Sequence, residues 1–152
     1  MKLLFVCTGN TCRSPMAEVI ARREAIGRGR EDVEVGSAGT SAWDGAPASD
    51  GSLLVALERQ LDLGAHSARQ VTAELVRDAH LIFTMGPHHL ERVLALGGEG
   101  KSHVLTTFAT RDGDPSGVAD PFGGDLDDYR TAYEDLVREI RRIFDALPAR
   151  TL

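Results

Sequence analysis

Apolar positions along the chain fall into short continuous runs separated by stretches of helical spacing. Lys2 to Val6 is an apolar run that ends in turn chemistry, as expected of a strand buried on both faces, and its carboxyl end delivers Cys7 to a loop. Pro15 suits the first turn of a helix. Residues 16 to 28 then carry Met16, Val19 and Ile20 at helical spacing, and Gly27 and Gly29 stop the helix. "VEVGSAGT" predicts a second strand with a glycine-rich exit. The stretch 50 to 61 predicts a helix with Leu54, Leu57 and Leu61 on its apolar face. Thr72 can cap a short helix with Glu74 in its first turn, followed by the strand "LIFTM", a helix near 87 to 96 and a fourth strand in "SHVLT". The last helix is the most regular element: Tyr129, Tyr133, Leu136, Val137, Ile140, Phe144 and Leu147 hold a 3.6-residue period.

Strands alternating with helices imply right-handed crossovers and a mainly parallel sheet. The expected fold is α/β: three layers, a four-stranded parallel sheet with helices on both faces, and a loop between the first strand and the first helix at the sheet's carboxyl edge. In such sheets ligands sit beyond the carboxyl ends of the strands, at a switch in strand order. Cys7 would lie there.

Composition narrows the function. A chain of 152 residues is one ordinary domain's worth, so 1–152 is read as a single domain. No run approaches a membrane span, and the opening apolar run is too short for the hydrophobic region of a signal peptide, so a soluble, cytoplasmic protein without a membrane partner is expected. A net charge of -6 argues against nucleic acid as a partner. The cluster Arg138, Arg141 and Arg142 alternates with Glu139 and apolar residues, as a solvated helix face does. The chain's two cysteines, Cys7 and Cys12, are too few for a disulfide framework, which points to reactivity. Its five histidines form no metal-binding spacing, so no metal or other cofactor is expected.

The candidate chemistry lies in "CTGNTCRS". A loop that enters a helix N-terminus turns backbone N–H groups toward one point, and the helix dipole reinforces the anion site they make. Thr8, Gly9, Asn10, Thr11, Cys12, Arg13 and Ser14 are the candidate phosphate-binding residues, with Gly9 allowing a tight backbone path. Arg13 offers a planar fork matched to two phosphoryl oxygens. A cysteine at the base of that cradle sits in positive potential, the setting in which a thiol acts as a nucleophile. The loop lacks the Gly-Lys-Ser/Thr ending of nucleotide-binding phosphate loops.

"FVCTGNTCRSPMAE", "SAGT" with Trp43 just after it, "HSARQ", and "DPFGG" ahead of the last helix together resemble the low-molecular-weight protein tyrosine phosphatase family over nearly the whole chain. The resemblance implies a phosphocysteine intermediate on Cys7, phosphorylated proteins as substrates and inorganic phosphate as product. It implies Asp120 as general acid, in preference to Asp114 of the other Asp-Pro pair, with Cys7 and Arg13 as its catalytic partners. Asn10, Ser37 and His66 match the polar network that holds the family's loop in shape, and Ser14 is placed to donate to the thiolate.

Thr11 and "DPFGG" resemble the bacterial protein-arginine phosphatases within the family. Thr11 puts a hydroxyl and a small methyl at the rim where a larger apolar side chain would pack on a phenyl ring. Two glycines after Phe122 leave that wall low, Asp120 can accept from guanidinium nitrogens, and Trp43 and Phe122 would flank the substrate. Phosphoarginine is therefore the favoured substrate, with phosphotyrosine the alternative. Thiol-dependent arsenate reductases share the scaffold but need further cysteines, and a non-catalytic phosphoprotein-binding module would not need Cys7, Arg13 and Asp120 together. Cys12 stands close enough in sequence to capture an oxidised Cys7 as a reversible disulfide.

Overall fold

The computed structural model describes residues 1–110 and 112–149. Strands β1 (Lys2–Cys7), β2 (Glu34–Gly39), β3 (Leu81–Thr84) and β4 (Ser102–Val104) alternate with helices α1 (Arg13–Gly27), α2 (Asp50–Glu58), α3 (Ala73–Asp78), α4 (Pro87–Ala95) and α5 (Leu126–Ala146). All neighbouring strands pair in parallel, in the order β2-β1-β3-β4.

The period of two in β1 explains its unbroken apolar run. Leu3, Phe5 and Cys7 face the core that holds α1, α2 and α5, whereas Leu4 and Val6 face the smaller core under α3 and α4. From β1 the chain crosses to β2 on one side and later reaches β3 on the other, so the strand order reverses beside β1. Its carboxyl end therefore opens into the crevice where open α/β sheets bind ligands.

Helix α1 begins at Arg13, three residues before the expected start, and Pro15 falls in its first turn, where its missing N–H costs nothing. Helix α5 follows the expected period, with Tyr129, Tyr133, Leu136, Ile140 and Phe144 buried. Asp125 and Asp128 cap it reciprocally, each side chain accepting from the other's backbone N–H at 3.0 and 3.1 Å.

The expected apolar face of α2 is corrected. Leu54 and Leu57 are 52% and 57% exposed, and the buried residues are Ser52, Val55 and Ala56. The cause is close helix packing: a Cβ on Gly51 would come within 2.6 Å of the Tyr129 ring of α5, so the small-residue face goes inward. Size complementarity wins over leucine hydrophobicity here.

Candidate functional site

Residues 8–12 connect the end of β1 to α1, and the loop is held by one unusual residue. Asn10 has φ +56°, a left-handed conformation that asparagine tolerates better than most side chains. Its buried side chain donates to Ser14 Oγ at 2.8 Å and Ser37 Oγ at 2.9 Å, and its Oδ1 accepts from the Arg69 backbone at 2.9 Å. His66 Nε2 lies 2.6 Å from the Asn10 carbonyl oxygen, and Ser37 Oγ donates to Glu18 Oε1 at 2.9 Å. The β2 exit is equally constrained, because a Cβ on Gly39 would overlap the Thr8 carbonyl oxygen. Only glycine fits there.

Cys7 Sγ sits at the floor, 2.9 Å from Ser14 Oγ and 3.3 Å from the Asn10 backbone nitrogen, which donates to it. Both contacts supply hydrogen to sulfur when Ser14 donates, an arrangement that stabilises developing negative charge. Arg13 is buried against this loop. Its Nη1 donates to the Val118 carbonyl at 2.8 Å, its Nη2 lies 3.6 Å from Asp120 Oδ2, and its Nε has no partner among the described residues. An anion in the crevice would satisfy that donor.

A cleft of about 220 Å³ opens over Cys7. The loop residues Thr8, Gly9, Thr11, Cys12 and Arg13 line it together with Asp120 and Phe122. Asp120 is half exposed and its Oδ1 accepts from the Phe122 backbone at 3.0 Å. Asp114, by contrast, spends its carboxylate on Ser116, whose N–H and Oγ both reach Oδ1, and the Ser116 hydroxyl holds it below the usual carboxylate range. Phe122 is 76% exposed at the rim, while Trp43, 84% exposed after β2, does not line the cleft. Cys7 and Cys12 are both free thiols. Cys12 Sγ donates to Ser49 Oγ at 3.3 Å and lies 3.7 Å from the Tyr129 hydroxyl. Burial and the Cys12 contact push the Tyr129 phenol up.

A cavity of similar size, about 210 Å³, lies along β1 and β2 beside Lys2, Glu34, Arg69 and Asp78. It mixes both signs of charge and has no cysteine, serine or threonine in its lining, so the Cys7 cleft is the better candidate for covalent chemistry. Among the described residues no group of three or more His, Cys, Asp and Glu side chains could hold a metal ion. The same residues include no helix long and apolar enough to cross a membrane.

Sequence reasoning missed Arg69, Val118 and His89. Arg69 links the loop to β2 through its N–H to Asn10 and its Nε to the Ser37 carbonyl at 2.9 Å. His89 is fully buried, and its Nε2 lies 2.8 Å from Thr8 Oγ1. Its position after "LIFTM", at the start of a helix leaving the same edge of the sheet, was the available signal. A backbone carbonyl such as that of Val118 leaves no signal in side-chain chemistry.

The low molecular weight phosphotyrosine protein phosphatase profile matches residues 2–151. A protein-arginine-phosphatase of Geobacillus stearothermophilus is 34% identical over 146 residues, covering 96% of this chain and 95% of that one. The low molecular weight protein-tyrosine-phosphatase PtpB of Staphylococcus haemolyticus is 35% identical over 144 residues, covering 94% and 97%. The crystal structure of the low molecular weight protein tyrosine phosphatase from T. tengcongensis superposes with a TM-score of 0.88 at 35% identity, covering 97% of this chain and 99% of that one. The loop, the fold and these similarities agree: the chain belongs to the low molecular weight phosphotyrosine protein phosphatase family.

Proposed function

We propose that the protein hydrolyses phosphoarginine residues of cytoplasmic proteins through a phosphocysteine intermediate, releasing inorganic phosphate. In the first step Cys7 thiolate attacks phosphorus, the bond from phosphorus to the leaving nitrogen breaks, and Asp120 gives that nitrogen a proton. Arg13 and the loop amides hold the three equatorial oxygens as charge develops on them. In the second step Asp120 carboxylate takes a proton from water, the water oxygen attacks phosphorus, and the sulfur–phosphorus bond breaks. Ser14, 2.9 Å from the sulfur, donates to the departing thiolate. No step calls for a metal or another cofactor.

The observation that carries the choice of substrate is that Thr11 and Asp120 line the same cleft. A threonine there offers a small polar lining, and a half-exposed carboxylate in the same cleft can accept from a guanidinium. The similarity to a protein-arginine-phosphatase supports the same reading. Phosphotyrosine is the second reading, favoured by the similarity to a protein-tyrosine-phosphatase. Phosphate release from matched phosphoarginine and phosphotyrosine peptides tests the choice, with the wild type beside Thr11→Ile. Preference for phosphoarginine that the substitution weakens is expected; preference for phosphotyrosine in the wild type overturns the assignment.

A further inference from the structure

His89 is a titratable group beside the cleft to which the two-step reaction assigns no task. It lies in the first turns of α4, entirely buried, with Nε2 2.8 Å from Thr8 Oγ1. Its Nδ1 has no hydrogen-bond partner among the described residues, and the exposed ring of His88 lies 3.8 Å away between centroids. Thr8 in turn lines the cleft directly after the nucleophile. Neutral imidazole can meet Thr8 in two ways. If Nδ1 carries the hydrogen, a buried N–H is left without an acceptor, and the Thr8 hydroxyl must donate to Nε2 and turn its lone pairs toward the anion. If Nε2 carries it, only a lone pair on Nδ1 goes unmatched, the milder of the two defects, and Thr8 keeps its own hydrogen to give away.

Resting on the phosphatase reading above, we propose that His89, as its Nε2–H tautomer, donates to Thr8 Oγ1 and so aims the Thr8 hydroxyl hydrogen at a phosphoryl oxygen in the cleft. Thr8 is then a side-chain ligand of the transferred group, and His89 is a positioning residue that acts through it. Burial, His88 and the nearby Arg13 cation all oppose protonation of His89, against the weaker pull of Asp120. The imidazole therefore stays neutral, with a single hydrogen to place on one of its two nitrogens.

The test joins a structural readout to a binding one. Nitrogen-15 NMR of histidine-labelled wild type, with and without inorganic phosphate, should place the His89 hydrogen on Nε2; a hydrogen on Nδ1 in the phosphate complex overturns the proposal without any substitution. Inorganic phosphate should bind about tenfold more weakly to Thr8→Val, Thr8→Ser should restore binding, and His89→Leu should add nothing further in the Thr8→Val background. Independent, additive losses would make His89 a packing residue and refute the coupling. Wild type that binds phosphate but releases none from either phosphopeptide would reject the catalytic reading, and these binding arms would still decide the role of His89. Wild type that does not bind phosphate overturns both.

Discussion

Acidification should destabilise the fold through His89 before the carboxylates begin to titrate. Burial, with help from His88 and Arg13, pushes the His89 imidazole down to about 3 in the folded protein, whereas an unfolded histidine titrates near ~6.5. Below the unfolded value the unfolded chain binds a proton that the native protein refuses. Stability that is fully present above pH ~6.5 is therefore lost at about 1.4 kcal/mol per pH unit down toward the folded value. Between pH 8 and pH 5 this one group should remove about 2 kcal/mol. His103, also pushed down by burial, acts with the same sign in the same window. Asp32, Glu58 and Asp114 are held below the usual carboxylate range by hydrogen-bonding partners, so their contributions persist above their unfolded values and fade only at lower pH. His89→Gln keeps a polar group within reach of Thr8 but cannot titrate. Urea unfolding of wild type and variant at pH 8 and pH 5, read at equal m-values, isolates the group. The wild type should lose about 2 kcal/mol more than the variant across that interval. Equal losses in the two proteins would refute the argument that His89 is held neutral by its surroundings.

Three further outcomes are expected. Asp120→Ala should lower phosphate release by about 10² to 10⁴-fold, with less effect on poorly basic leaving groups that need no proton; a uniform small loss would show that Asp120 is not the acid. Gly117→Ala should cost about 2 kcal/mol or more, because Gly117 has φ +83° and a Cβ there would overlap the Met85 carbonyl oxygen. The same change should weaken inorganic phosphate binding, since it displaces the neighbouring Val118 carbonyl that holds Arg13; unchanged thermal stability and affinity would contradict both. Under mild peroxide, mass spectrometry should find Cys7 and Cys12 joined as a disulfide that thiol reductant reverses, and sulfinic or sulfonic Cys7 without that bond would exclude the protective role.

Much of this molecule is legible along the chain because its signals are local. The run Lys2 to Val6, the turn chemistry after Cys7 and the long period of α5 each report a buried surface directly, and the parallel sheet follows from their alternation. The loop was legible for the same reason: nucleophile, glycine, fork and hydroxyl all fall within eight consecutive positions. Helix α2 was misread because its inward face is chosen by fit to the Tyr129 ring, a neighbour 78 positions away from Gly51 that no local period encodes. His89, Arg69 and the Val118 carbonyl were missed for a related reason, since each acquires its role only when the strand ends gather at one edge of the sheet.

The bond from Arg13 to the Val118 carbonyl spans 105 positions. Arg13 is therefore made 105 residues before the carbonyl that fixes its guanidinium. Until then the arginine fork has no such anchor, and Asp120 does not yet exist to face it. Contacts of this range also form late in folding, after the costly closure of a long loop. A chain that displays Cys7 but has not yet reached Val118 and Asp120 therefore lacks the residues that anchor Arg13 and complete the cleft.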